Sequence, residues 1–214
     1  MTPGDLAYLR AAIEKGLIRG PVLEVGGRSW QPEGNAAETC RAAGLDWTAT
    51  DLVAGDGVEY VLDVLDPTSV GEIERRWPTI LVFNLLEHVY DPITALRHAL
   101  LLLEPGGLAL VVTPAVWELH DFPADYWRPM PDFYTEFAAR EGVDIVADTF
   151  KWITGLQLHD VDAVGTGNQK ALPGKASAPW RSRYSDAVHK LANTSGRGLY
   201  FPYSALGVGF RKPS

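Results

Sequence analysis

The chain is poor in sulfur and in positive charge, and it has no long apolar run. A single cysteine, Cys40, leaves no internal disulfide possible and fits a reducing, cytoplasmic setting. The longest wholly apolar stretches, Ala99 to Leu103 and Leu108 to Val112, are far too short to cross a bilayer, so no membrane partner is expected. The opening MTPGDLAYLR has no basic region leading into an apolar one, so no secretory signal is expected either. Basic side chains number 19 against 27 acidic ones, a formal net charge of −8, which argues against a nucleic-acid binder. The five histidines show no close ligand spacing along the chain, and sequence alone points to no metal site.

What is present suits one globular domain over residues 1–214, with 46 % hydrophobic and 21 % charged residues. The charge is unevenly spread. Residues 151–214 hold nine basic and three acidic side chains (+6), whereas residues 1–150 hold ten and 24 (−14). A basic segment on an acidic body can face an anionic ligand, or it can be a solvated surface.

Helical and strand patterns alternate. Thr2, Pro3 and Asp5 start a helix that carries Leu6, Leu9, Ile13 and Leu17 at helical spacing until Gly20-Pro21. Strands are predicted at 22–25, 47–50, 58–64, 80–83 and 108–112, with helices at 36–43, 67–77, 92–103 and from 131 to near Gly142. Pro105-Gly106-Gly107 reads as a turn. Residues 143–150 and 205–210 read as a last pair of strands. Short continuous apolar strands between helices predict a mostly parallel sheet covered on both faces. Residues 166–199, rich in Gly, Ser, Lys and Pro, read as a lid or acceptor-site insertion expected to order on binding.

Ligands of such sheets bind beyond the carboxyl ends of the strands. Glu24-Val25-Gly26-Gly27 ends the first strand, and glycine there admits a ligand where a Cβ would collide. Asp51 ends the second strand, where a carboxylate can accept both hydroxyls of a ribose. Asp63-Val64 and Asn84-Leu85 follow the third and fourth strands, completing a nucleoside-shaped site. A dinucleotide is poorly served, because Arg28 and Trp30 stand where a pyrophosphate loop needs its later glycines.

Six segments in register then carry a resemblance: VLEVGGRS (22–29), TATDL (48–52), LDVLDP (62–67), FNLLEHVYDP (83–92), LLEPGGLALVVTP (102–114) and HDFPADYWRPMPDF (120–133). Together they resemble class I S-adenosylmethionine-dependent methyltransferases of the small methyltransferase-11-like group. The resemblance implies a Rossmann-like α/β fold with a seven-stranded, mostly parallel sheet and helices on both faces. The last two strands would form an antiparallel hairpin at one edge. It implies a cofactor-binding core over residues 20–150 and an acceptor or lid region over 151–214. S-adenosylmethionine is the implied cofactor, and S-adenosylhomocysteine the product. Glu24, Gly26, Gly27 and Arg28 would line its methionine end. Trp30 would cover part of the pocket, Asp51 and Leu52 would hold the ribose and adenine, and Asp63 and Val64 would meet the adenine ring. Asn84 and Leu85 would lie by the amino group.

Methyl transfer needs alignment, exclusion of water and a nucleophile with a free lone pair. A hydroxyl or amine acceptor calls for a base, for which His120 and then His88 are the candidates. An ionised acceptor calls instead for cationic clamps, for which Arg181 and Arg183 are the candidates, with Arg128 and Tyr126 beside the acceptor cleft. The +6 segment favours an anionic oxygen of a small molecule, a carboxylate or a phosphonate or phosphate, as acceptor. The reading from another class is a non-catalytic sensor or partner subunit that binds the cofactor. A homodimer is compatible with all three.

Overall fold

The computed structural model describes residues 1–28, 34–120, 124–161 and 204–214. Helix α1 (Pro3–Glu14) opens on a reciprocal cap: Asp5 N–H donates to Thr2 Oγ1 at 3.1 Å, and Thr2 N–H donates to Asp5 Oδ2 at 2.7 Å. Then follow β1 (Val22–Val25), α2 (Ala36–Ala42), β2 (Trp47–Asp51), β3 (Val58–Val61), α3 (Pro67–Gly71), β4 (Trp77–Phe83), α4 (Pro92–Leu101), β5 (Leu103–Val116) and α5 (Pro131–Glu141). The chain closes with β6 (Asp144–Ile145), β7 (Lys151–Thr154), β8 (Gln157–Asp160) and β9 (Ser204–Arg211).

All nine strands join one sheet in the order β3-β2-β1-β4-β5-β9-β7-β8, with β6 pairing β9. β1 to β5 run parallel, and β9 runs antiparallel to β5. The sheet separates two cores. On one side Leu23, Val25, Ile80 and Val82 pack against Leu96 and Leu100 of α4 and Tyr134 and Phe137 of α5. On the other, Val22, Leu81, Phe83 and Leu110 pack against Tyr8 and Leu9 of α1 and Cys40 of α2. Alternate residues of one strand point to opposite faces, so a strand covered on both sides must be apolar throughout; β4 is fully buried along its length.

Among the described residues the sheet has nine strands, against the seven expected. Residues 143–150 do not form one strand but split into the short β6 and a 3-10 turn at Ala147–Thr149. The partner of β9 on that side is therefore β7, and β7 pairs in turn with β8. The expected turn at 105–107 survives as a break in register inside β5, where Trp77 pairs with Leu103 but Thr79 with Leu108. The third helix ends six residues before its expected limit, at Gly71 rather than Trp77, because β4 already begins at Trp77. The central order β3-β2-β1-β4-β5 reverses direction between β1 and β4, which opens a crevice at their carboxyl ends.

Candidate functional site

The crevice is lined first by the β1 turn. Gly26 has φ +73°, a conformation costly for any residue with a Cβ, and a Cβ there would stand 2.8 Å from Leu85 Cδ1. A Cβ on Gly27 would stand 2.6 Å from Glu24 Cγ and 3.0 Å from Ala49 Cβ. Glycine thus keeps the floor of the crevice low. Beneath it the Glu24 side chain is buried and accepts a hydrogen bond from Trp47 Nε1 at 3.0 Å. Burial disfavours its charged form and raises its pKa to about 7; the Trp47 bond pulls the other way.

The adjoining edge is more open. Asp51 Oδ2 accepts from Arg28 N–H at 3.3 Å and Oδ1 from Val53 N–H at 3.2 Å. The two amides orient the carboxylate and leave each oxygen a further lone pair, the acceptors that the two hydroxyls of a ribose diol need. Leu52 is 61 % exposed, available as a surface for an aromatic base. Asp63 Oδ1 accepts from Leu65 N–H at 2.8 Å, and the buried Val64 carbonyl accepts from His98 Nδ1 at 2.7 Å. Asn84, at φ +50°, turns the chain out of β4, and its Nδ2 donates to Asp5 Oδ2 at 3.0 Å. That bond ties the capped end of α1 to the crevice, a role for Asp5 that its cap pattern alone does not reveal. The cradle kept open by glycine and the diol-matching carboxylate fit S-adenosylmethionine.

The second half of the site follows β4 and β5. A short 3-10 turn, Leu86–His88, buries Glu87 to 1 % exposure. Both of its carboxylate oxygens lie buried with no hydrogen-bond partner among the described residues. Burial raises its pKa to about 8; its own backbone amide, and then Arg128, oppose the rise. His88 Nδ1 is 2.7 Å from the Ala124 carbonyl, which can only accept, so the ring proton sits on Nδ1 and Nε2 keeps its lone pair. Burial lowers the His88 pKa. His120 Nδ1 is 3.1 Å from the Glu118 carbonyl and 3.2 Å from Asp125 Oδ2, again leaving Nε2 free. The two imidazoles meet edge to face, 4.9 Å between centroids.

Arg128 anchors this edge. Both terminal guanidinium nitrogens bind the Asp125 carboxylate, whose side chain is 1 % exposed. The pair holds the Asp125 pKa down to about 2. Tyr126 N–H donates to the Glu87 carbonyl at 2.7 Å and Trp127 Nε1 to the Tyr90 carbonyl at 3.1 Å, which lays residues 124–128 along the Leu86–Tyr90 segment. The fold thus unites His88 and His120, 32 positions apart in the chain, with Glu87. Sequence spacing could not show that grouping. Arg128 is committed to Asp125, so it fixes the loop that carries His120 and Tyr126. Trp30, Arg181 and Arg183 lie outside the described residues, as does the expected insertion at 166–199.

A doubly wound sheet with a glycine-floored crevice and a ribose-matching acid at its carboxyl edge defines a Rossmann-like nucleoside-cofactor protein. Residues 6–145 match the methyltransferase domain family, and the chain belongs to that family. It is accordingly an enzyme of methyl transfer. Solved structures agree in fold. A SAM-dependent methyltransferase from Archaeoglobus fulgidus superposes with TM-score 0.56 at 16 % identity, covering 98 % of this chain and 94 % of that one. The 1,6-didemethyltoxoflavin-N1-methyltransferase of Burkholderia thailandensis, bound to S-adenosylhomocysteine and its acceptor, gives 0.58 at 14 %, covering 99 % and 78 %. The N-methyltransferase NodS of Bradyrhizobium japonicum, also with S-adenosylhomocysteine, gives 0.51 at 12 %, covering 100 % and 89 %. No curated protein matches the chain. Among the described residues no helix is long and apolar enough to cross a membrane.

Proposed function

We propose that the protein transfers a methyl group from S-adenosylmethionine to an oxygen of a small molecule. The observation that carries the oxygen assignment is the pair of imidazoles at the carboxyl edge, each with Nδ1 held by a carbonyl or carboxylate oxygen. Such a pair receives a hydrogen bond from an acceptor hydroxyl and orients its oxygen. S-adenosylmethionine supplies a methyl on a sulfonium, whose departure as a neutral thioether needs no acid. The chain's own tasks are to seat, orient and dehydrate. Gly26 and Gly27 leave room for the cofactor, Asp51 fixes its ribose, and Asp63 with the backbone of Val64 meets the base. Asn84 and Leu85 border the amino-acid end. The Arg128–Asp125 pair holds His120 in place, and Tyr126 walls the acceptor side.

A second reading keeps the cofactor and makes the acceptor oxygen already anionic, a carboxylate or a phosphonate or phosphate. The observation favouring it is the +6 charge of residues 151–214, with Arg181 and Arg183 as clamps. Both readings take one domain and a soluble small-molecule acceptor.

The test has two stages. Calorimetric titration with S-adenosylhomocysteine, with NAD as control, is expected to show micromolar binding of the first alone, on the order of −8 kcal/mol. Incubation with methyl-labelled cofactor and a panel of phenols, hydroxy acids, carboxylates, phosphonates and amines is then expected to yield methyl ethers or esters. Products methylated only on nitrogen or carbon overturn the oxygen assignment.

A further inference from the structure

Glu87, His88 and His120 each offer one donor atom within 4.8 Å of the other two. We propose that these three side chains hold a divalent transition cation of the zinc type, leaving one coordination position open to an oxygen of the methyl acceptor. The use of that position rests on the oxygen-acceptor reading above; the cation site does not.

Three features point to a ligand rather than to a chance grouping. The first is Glu87. Its carboxylate is buried, and neither oxygen has a hydrogen-bond partner among the described residues. A buried carboxylate is ordinarily paired or bound to a metal, because desolvation without compensation is costly. The second is the state of the two histidines. A metal-bound imidazole usually gives its other ring nitrogen to a carbonyl or carboxylate, which sets tautomer and ring orientation. His88 does so to the Ala124 carbonyl at 2.7 Å, and His120 to Asp125 Oδ2 at 3.2 Å and the Glu118 carbonyl at 3.1 Å. Asp125 is itself fixed by Arg128, so an outer layer of support is already in place. The third is distance. Bonds of about 2.1 Å in a tetrahedral site set the ligand atoms about 3.4 Å apart. His88 Nε2 and Glu87 Oε1 are already 3.8 Å apart, and the widest separation must close by about 1.4 Å, within the reach of side-chain rotation.

Two imidazoles and one carboxylate with an open fourth position form a donor set used by catalytic zinc rather than structural zinc. The cluster follows the carboxyl ends of β4 and β5, where the acceptor has to lie. With the cation bound, the two imidazoles are its ligands and hold the acceptor oxygen through it instead of accepting the hydroxyl's hydrogen bond directly; the hydroxyl would ionise near neutral pH, its proton passing to solvent.

The experiment uses the full chain, stripped with a chelator and titrated with Co²⁺ by visible absorption. One equivalent is expected to bind with saturable bands that Zn²⁺ then displaces. His88→Ala and His120→Ala are each expected to weaken Co²⁺ binding by about 100-fold, while His159→Ala, at the β8 edge, leaves it unchanged. His120, on a partly exposed loop position, carries the test if Glu87→Gln or His88→Ala fails to fold. Unchanged S-adenosylhomocysteine binding and melting temperature show that a variant is intact. Absence of a saturable site, or one untouched by the His88→Ala/His120→Ala double variant, overturns the proposal. Methyl ethers formed by a protein that binds no cation would sink the cation site alone. A bound cation with only nitrogen or carbon products would sink the oxygen reading alone.

Discussion

The two halves of the crevice are built on opposite principles. On the β1–β2 side the candidate acids are open: Asp51 and Asp63 take only backbone amides, from Arg28, Val53 and Leu65, and Leu52 is exposed. On the β4–β5 side Glu87 and Asp125 have nearly inaccessible side chains: the Glu87 carboxylate has no hydrogen-bond partner among the described residues, and Asp125 is held by His120 and Arg128. The open half is built from backbone positions at the ends of β1, β2 and β3. The closed half stores an uncompensated carboxylate and depends on tertiary contacts. The comparison predicts that changes on the open half alter cofactor affinity and little else, while changes on the closed half alter turnover and stability.

The largest effect is expected where the two halves share backbone. Gly27→Ala drives a Cβ into Glu24 and Ala49, both on buried strands. S-adenosylhomocysteine affinity should fall by 100-fold or more, about 3 kcal/mol, because the crevice floor must rise. A titration showing an unchanged Kd would mean that the cofactor does not sit over this turn.

Next comes Asp51→Asn. It retains the shape and removes the charge that favours diol hydrogen bonds, each worth about 1.5–3 kcal/mol when charge-assisted. We expect S-adenosylhomocysteine to bind 10- to 100-fold more weakly, with a melting temperature unchanged within about 1 °C. A large loss of melting temperature would show that Asp51 is structural and would erase the contrast between the halves.

Asp125→Asn sharpens the contrast from the other side. It breaks the Arg128 pair and the support of His120 at once. Turnover should drop by 10- to 100-fold while S-adenosylhomocysteine affinity stays within twofold, since second-layer support of this kind typically acts at that scale. Equal losses in both measurements would show that the loop carrying Asp125 also shapes the cofactor side.

The same contrast explains what the sequence reveals. The parallel sheet is legible because buried strands are short apolar runs and the helices carry their own caps: Thr2, Asn35, Asp66 and Asp91 each accept a first-turn amide. Gly26, Gly27 and Asp51 can be singled out in the sequence because their places at strand ends follow from the pattern. The β4–β5 half is less legible. His120 and His88 stand out as residue types, and Asp125 or Asp132 is a natural partner for Arg128, but that Asp125 is the partner, and that Glu87 is buried beside the two imidazoles, shows only in the fold. Residues 143–150 show the same limit. Their apolar pattern suits a strand, yet Thr149 is drawn into a turn where its Oγ1 meets Gly209 N–H and the Val146 carbonyl, and its own carbonyl meets Tyr8 Oη. Those contacts span up to 141 positions and leave no local trace.

The smallest expected effect concerns Glu24, the one buried acid on the open half. Its pKa rises from the usual 4.5 of an unfolded glutamate to about 7 in the fold, chiefly by burial. The folded state therefore holds this proton more tightly than the unfolded state. Its contribution is fully present below about pH 4.5 and is lost as the pH climbs through about 7, because folding must then bury a charge. Glu87, raised to about 8, acts in the same direction over a slightly higher range. Asp125, held near 2, acts oppositely but only below the range where glutamates titrate. Glu24→Gln keeps an acceptor for Trp47 Nε1 and removes the titration. Its melting temperature relative to the parent should rise by a few degrees between pH 5.5 and 8.5. Parallel curves for variant and parent across that interval would mean that Glu24 ionises freely, with water reaching the floor of the crevice, and the two halves would then differ less than their burial indicates.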